Sequence, residues 1–202
     1  MKALITTIWD DPEPIIRGFN IINPDFLILI VDKDIKEQQK ETLKKLKEFH
    51  KNLEKDVRLE VEKSKVYELH QIAKNTVDII KKYPKYDFYV DITASSKPQS
   101  MAIALGAMNI DNTKQIFITN RDGGFMEIPK LKIDFSENEK VILRALNKYE
   151  GKKIDVDKLT KETNFKQSTI YKYLQEFKNK GYIEENDDKT IQLTTTGKFV
   201  ML

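Results

Sequence analysis

No cysteine occurs in these 202 residues. That excludes a disulfide framework and any thiolate zinc site. Histidine is nearly absent too: His50 and His70 both fall within helical patterns, where packing or surface roles are the ordinary ones. Glycine occurs seven times, yet no P-loop, GxGxxG or GxSxG is formed. Gly123-Gly124 lacks the strand-to-helix context that a phosphate loop needs. Met1 to Thr7 has no charged region followed by a long apolar run, so no signal peptide is expected. No apolar run approaches the roughly 20 residues that span a membrane. A soluble, cytoplasmic protein with no cofactor and no metal is expected.

What is present is charge and a real core. Charged residues make up 33% of the chain and hydrophobic ones 40%. The formal net charge of +3 is too small to prove a nucleic-acid partner by itself, so the placement of the charges matters more.

Strand and helix patterns alternate through the first two-thirds. Lys2 to Ile8 and Asp25 to Val31 are apolar runs, the second nearly continuous, as a strand covered on both faces must be. Val57 to Val61, Tyr86 to Ile92, Lys114 to Thr119 and Met126 to Ile133 read as further strands, the last an edge because of Pro129. Between them, Pro12 to Ile22, Ile35 to Lys55, Val66 to Tyr83 and Pro98 to Met108 carry apolar residues at helical spacing. The long Ile35 helix, rich in Lys and Glu, reads as a solvated cover for the sheet. Alternation of this kind predicts a Rossmann-like, doubly wound and mostly parallel sheet over residues 1–134.

Residues 135–202 change character. Ser136 with Glu139 forms a capping box ahead of a helix ending by Gly151. A short helix follows at Val156 to Thr163, then one from Gln167 to Asn179 with Ile170, Tyr173, Leu174 and Phe177 on one stripe and Gly181 as C-cap. Tyr182 to Leu193 reads as a hairpin with a polar tip, and a last short helix follows. Three helices plus a hairpin predict a small winged helix-turn-helix domain.

Two stretches carry chemistry. In Asp91-Ile-Thr-Ala-Ser-Ser-Lys97, a buried strand gives way to a helix whose first turn holds Pro98. Ser95 or Ser96 is placed to cap that helix. Backbone amides, hydroxyls and an ammonium then face out from the carboxyl end of a strand, where open α/β sheets bind phosphates. Asp91, Thr93, Ser96, Lys97 and Ser100-Met101 resemble the strand-turn-helix motif of CARF domains in CRISPR-associated proteins. The chain departs at Ala94 and Ser95, where the family prefers two glycines. In that family the loop after the first strand supplies the other half of the pocket. The resemblance therefore implies a ligand site built from Thr7, Ile8, Trp9, Asp10, Thr93, Ala94, Ser95, Ser96, Lys97 and Arg121. Trp9, the single tryptophan, would stack on a base.

Ser168 to Ile183 and Leu193-Thr-Thr-Thr-Gly-Lys198 resemble the recognition helix and wing exit of archaeal and bacterial winged-helix regulators. On the third helix, Gln167, Ser168, Thr169, Tyr171, Lys172 and Gln175 are candidates for base edges. Lys161, Lys166, Lys178 and, at the wing tip, Lys189 are candidates for phosphates. The order of the two domains resembles the CARF–winged-helix transcription regulators of archaeal CRISPR loci. That resemblance implies a homodimer that binds double-stranded DNA and senses a cyclic oligoadenylate, the tetra-adenylate foremost, as an effector. Two alternatives stand beside it. One is a regulator that senses another nucleotide or only dimerises. The other is a ring nuclease, slow and assisted by Ser96 and Lys97; the Arg-x-x-x-x-His signature of HEPN ribonucleases is absent.

Overall fold

A computed structural model of the chain describes residues 1–65, 68–130, 135–149, 154–186 and 190–201. It separates into two compact units, Met1–Lys132 and Ile133–Leu202, and the boundary falls outside the described residues.

In the first unit the order is β1 (Lys2–Thr7), α1 (Glu13–Ile22), β2 (Phe26–Asp32), α2 (Glu37–Lys51), β3 (Arg58–Ser64), α3 (Leu69–Lys82), β4 (Asp87–Asp91), α4 (Lys97–Met108), β5 (Thr113–Thr119) and β6 (Phe125–Ile128). The strands form one sheet in the order β3-β2-β1-β4-β5-β6. All neighbours run parallel except β6, which lies antiparallel on β5. This is the doubly wound arrangement expected. The reversal of order at β1, between β2 and β4, is the switch point where such sheets leave a crevice.

Both faces of the sheet are covered. Leu4, Leu27, Leu29 and Val31 share a cluster with Ile15, Phe19 and Ile22 of α1 and Leu46 of α2. The alternate residues Ala3, Ile5, Ile28, Ile30, Phe88 and Val90 are equally buried and, by the two-residue period, face the other layer. There α3 and α4 approach so closely that a Cβ on Gly106 would stand 2.5 Å from the Ala73 carbonyl oxygen. Burial on both sides explains why β2 reads as a continuous apolar run.

Boundaries differ from expectation at a few places. The second helix is shorter than Ile35–Lys55, because Lys36 is extended and Asn52 closes the last turn onto Glu48. β3 runs on to Ser64, which is buried. The edge strand β6 stops at Ile128, before Pro129, while 131–134 lie outside the described residues.

The second unit holds α5 (Glu137–Lys148), α6 (Val156–Thr163), α7 (Gln167–Asn179), β7 (Ile183–Glu185), β8 (Ile191–Leu193) and α8 (Thr195–Phe199). Ser136 and Glu139 make the reciprocal capping box: Ser136 Oγ accepts from the Glu139 amide, and Glu139 Oε2 accepts from the Ser136 amide at 2.8 Å. Asp155 caps α6 by accepting from the Lys158 amide. Asn164 turns left-handed at φ 58° between α6 and α7, and Gly181 does the same at φ 70° after α7. The core joins Ile142, Leu143 and Leu146 to Leu159, Ile170, Leu174, Phe177, Ile183, Ile191 and Leu193. β7 and β8 pair antiparallel, as a wing should. The helix end near Gly151 and the wing tip with Lys189 lie outside the described residues.

Candidate functional site

The switch point gathers two loops, one leaving β1 and one leaving β4. They are sewn together by Thr7, whose hydroxyl donates to the Ala94 carbonyl at 2.9 Å. Ile8 is fully buried; its amide donates to Ile30 O and its carbonyl accepts from Gln39 Nε2. Thr93 is equally committed. Its amide and hydroxyl both donate to Asp91 Oδ1, and its oxygen accepts from the Thr119 amide at 2.7 Å. The Ser95 hydroxyl pairs closely with that of Ser100, and each also reaches the Ile92 carbonyl. Ala94 sinks its methyl into the cluster that holds Ile8 and Leu4.

Five of the ten sequence candidates thus build the loops rather than face out of them. Thr7, Ile8, Thr93, Ala94 and Ser95 spend their polar groups inward. The Ile8 amide in particular has no proton left for a ligand, which corrects the place of Ile8 in the expected site. The departure from glycine at 94 and 95 also has a backbone answer. Among the described residues only Asn23 and Asn164 are non-glycine residues with positive φ. The loop therefore does not need glycine's conformational freedom.

Trp9 is half-buried, Ser96 is half-buried, and Asp10, Lys97 and Arg121 are exposed. These five remain available. Lys97 opens α4 with no carboxylate partner among the described residues. Ser96 holds the N-cap position but does not cap the backbone; its hydroxyl donates instead to Gln99 Oε1 at 3.3 Å. The first turn of α4 is left with its dipole and amides uncapped by a side chain, a setting that favours an anion. Arg121 sits after β5, in the turn closed by the Asn120 amide on Gly124 O. Since β5 neighbours β4, it occupies the same edge of the sheet.

Sequence reasoning named Asp91 only as part of the motif and missed the rest of the layer beneath. Gln99 is fully buried, and its Nε2 has no partner. Thr6 and Asp91 are register partners on β1 and β4. Thr6 Oγ1, Asp91 Oδ2 and Arg17 Nε are each buried without a hydrogen bond. Buried polar atoms normally find partners; of the five orphaned side-chain atoms among the described residues, all but Thr113 Oγ1 gather around this switch point. Burial pushes the Asp91 carboxyl up to about 6, against the opposing pull of the Thr93 hydrogen bonds and the Arg17 charge. An acidic residue at a strand end beside a Thr was the available signal. Among the described residues no three His, Asp or Glu side chains gather to hold a metal ion.

In the second unit, Ser168, Lys172, Gln175 and Asn179 lie on the face of α7 opposite Ile170, Leu174 and Phe177. Lys161, Lys166 and Lys172 are exposed with no carboxylate partner among the described residues, while Thr169 is half-buried. Gln167 is held by Asp157, its Nε2 donating to Oδ1 at 2.5 Å. Tyr171 is 58% exposed and borders a cleft of about 590 Å³ between α7 and the strands. Asp155, Asp157, Glu185 and Lys178 line that cleft, and Lys178 pairs with Glu185 at 3.1 Å. Three carboxylates against one neutralised ammonium make the cleft hostile to phosphate. The basic, unpaired part of the helix is its N-terminal half.

A protein-family model described as "HFX_2341_N:-like, N-terminal" matches residues 5–122. A second, described as "Sugar-specific transcriptional regulator TrmB", matches residues 130–198. No curated protein matches the chain. Among solved structures, similarity extends to Can2 from Sulfobacillus thermosulfidooxidans, solved in complex with cyclic tetra-adenylate (TM-score 0.51, 13% identity, 72% of this chain and 47% of that one). It extends also to Enterococcus italicus Csm6 bound to cyclic hexa-2'-fluoro-hexa-dAMP (TM-score 0.51, 14% identity, 89% and 53%). VC1899 from Vibrio cholerae matches at TM-score 0.51 and 8% identity over 98% and 63%. The chain spans about half the length of the first two. At these identities the likeness establishes the fold, a CARF-like sheet.

Proposed function

Because the chain belongs to the HFX_2341_N:-like family through its first unit and carries a TrmB-type winged helix in its second, we propose that it is a CRISPR-linked transcription regulator. In this reading the winged helix binds double-stranded DNA, and the switch-point crevice senses a cyclic oligoadenylate. The observation that carries it is the α4 N-terminus, uncapped by a side chain, opened by unpaired Lys97 and set above buried Gln99 at the sheet's switch point. A ring of phosphodiesters supplies the anions that this edge lacks. Trp9 and Arg121 stand at the same edge, for a base face and a further phosphate.

A cyclic tetra-adenylate has the two-fold symmetry of a homodimer, so one ring between two chains is the stoichiometry proposed. Binding across that axis would couple to the separation of two winged helices, a coupling free energy between sites. The reading is of a regulator, not a dedicated catalyst, and of a protein working in the cytoplasm. No described helix is long and apolar enough to cross a membrane.

The test is calorimetric titration with cyclic tetra-adenylate, cyclic hexa-adenylate and linear tetra-adenylate. Binding of one cyclic ring per two chains, lost in Lys97→Ala, supports the sensor. Failure of every ring sinks it. The inward commitment of Thr7, Thr93, Ala94 and Ser95 would then favour the second reading, a sheet that only dimerises. Chromatography of the titrated ring distinguishes a ring nuclease, which would open it and lose that turnover in Lys97→Ala.

A further inference from the structure

The winged-helix unit is a poorly charged DNA binder. Residues 133–202 hold 13 Lys and Arg against 12 Asp and Glu, a formal excess of one. Several of the cations are already spent: Lys140 pairs with Glu137, Lys148 with Glu162, Lys178 with Glu185 and Lys180 with Glu139. Affinity for DNA comes largely from neutralised phosphates. Of the described residues around the start of α7, Lys161, Lys166 and Lys172 are few for that purpose, and the carboxylates of the α7 cleft oppose it.

Unpaired positive charge is arranged in a row elsewhere. On α2, Lys45 is tied to Glu41 at 3.0 Å and Lys40 to Glu37 at 2.9 Å. Lys44, Lys47 and Lys51 are exposed and stand in no ion pair among the described residues, Lys44 acting on Glu41 only through the field of its charge. They stand at i, i+3 and i+7, which places them on one side of the helix, in line with Lys40. From Lys40 to Lys51 the row extends roughly 16 Å at about 1.5 Å per residue. The acids Glu37, Glu41 and Glu48 fall to one side of it by the same 3.6-residue period. The opposite face of α2 is fixed, because Gln39, Thr42 and Leu46 are buried. The row therefore cannot rotate inward, and it is presented as a rigid basic ridge.

The geometry points to this ridge as a second nucleic-acid surface, one that takes the phosphate backbone of double-stranded DNA. It rests on the proposal that the winged helix holds DNA. Lysines with free ammonium groups and no planar recognition partner bind phosphates without reading bases. The ridge thus adds affinity and salt dependence but no sequence preference.

Fluorescence anisotropy on the full chain tests it, with a duplex of roughly 40 base pairs from upstream of its own coding region and an unrelated duplex of equal length, over about 50 to 300 mM salt. The variant is Lys44→Gln, Lys47→Gln, Lys51→Gln; these exposed changes leave the core intact, checked by circular dichroism. The expected result is weaker binding to both duplexes, with a salt slope flatter by about 2 to 3, near 0.9 for each phosphate that a lysine no longer neutralises. A triple Lys→Glu change at the same positions should weaken binding further. If the triple Gln variant binds with unchanged slope while Lys166→Ala, Lys172→Ala loses binding, the ridge is only a solvated face and the winged-helix proposal survives. If the wild-type chain binds neither duplex at low salt, both fail together.

Discussion

Gly18 and Asp91 touch: a Cβ built on Gly18 of α1 would stand 2.3 Å from Asp91 Oδ2 at the end of β4. The carboxyl is closed in on that side and hydrogen-bonded only through its other oxygen, to Thr93. Burial holds it protonated up to about pH 6, whereas in an unfolded chain an Asp titrates near 3.9. The folded value lies above the unfolded one. Stability is therefore fullest below about pH 4, falls as pH rises toward 6, and is level beyond. The largest penalty is on the order of 2–3 kcal/mol from a two-unit difference.

Asp91→Asn should expose this. The amide is neutral throughout and keeps a carbonyl oxygen for the Thr93 donors. It should be more stable than wild type by up to roughly 2–3 kcal/mol at pH 8 and show little advantage at pH 4. Urea unfolding at the two pH values checks it. An equal difference at both would mean that the charge is already compensated by Arg17.

Thr93→Val should damage the proposed effector site without touching any outward group. It leaves the Thr119 amide and one Asp91 oxygen short of a partner. A cost of about 2–4 kcal/mol is expected from such buried losses, with weakened ring binding because the loop above Asp91 loses its shape. Thr93→Ser retains the hydroxyl and should recover most of both. Thermal melts and the ring titration read the two effects. A variant of full stability that still loses ring binding would return Thr93 to direct contact.

Much of this was legible in the residues, and the limits have a physical cause. The β/α alternation and the near-continuous apolar Asp25–Val31 announce a sheet covered on both sides. Ser136 with Glu139 announces its capping box because both partners are local. The fates of Thr7, Ile8 and Ser96 were not legible. Thr7 and Ile8 are expected outward, since a loop hydroxyl or amide at a strand end usually is, and Ser96 is expected to cap its helix. Thr7 instead finds Ala94 across the switch point, Ile8 finds Ile30 and Gln39, and Ser96 turns from the backbone of its helix to a side chain. Hydrogen bonds between residues far apart in sequence, as at Thr7 and Ile8, leave no local pattern. Asp91 did leave a signal, an acidic residue at a strand end beside a Thr, but its burial, like that of Gln99, is imposed by the fold alone.

Gly197 in the wing exit should tolerate no side chain. A Cβ there would meet the Tyr182 carbonyl oxygen at 2.0 Å and Leu193 at 3.1 Å. That carbonyl already accepts from the Thr194 amide, and the obstacle is backbone, which cannot swing aside. Gly197→Ala should cost at least about 1–3 kcal/mol, as overpacking does. The loss should appear as lowered hydrogen-exchange protection from Tyr182 through Met201. The Thr7–Ala94 region should keep its protection, since it belongs to a separate core. Loss of protection at both would show that the two units unfold as one.

The acidic lining of the α7 cleft makes the last prediction run opposite to most changes at a binding surface. Glu185 holds Lys178 at 3.1 Å in an exposed pair, so the pair itself contributes little stability, well under about 1 kcal/mol. Removing the carboxylate frees one ammonium on α7 and deletes a charge that repels phosphate. Glu185→Gln should therefore bind double-stranded DNA more tightly at low salt. Its salt slope should steepen by the equivalent of one phosphate, about 0.9, and folding stability should be nearly unchanged. The sequence preference should not alter, because an ammonium released toward the backbone reads no base. Anisotropy titrations of wild type and variant at several salt concentrations decide it. Equal slopes would place Lys178 away from the DNA, and with it the C-terminal half of α7, leaving recognition to Ser168, Lys172 and their neighbours at the helix start.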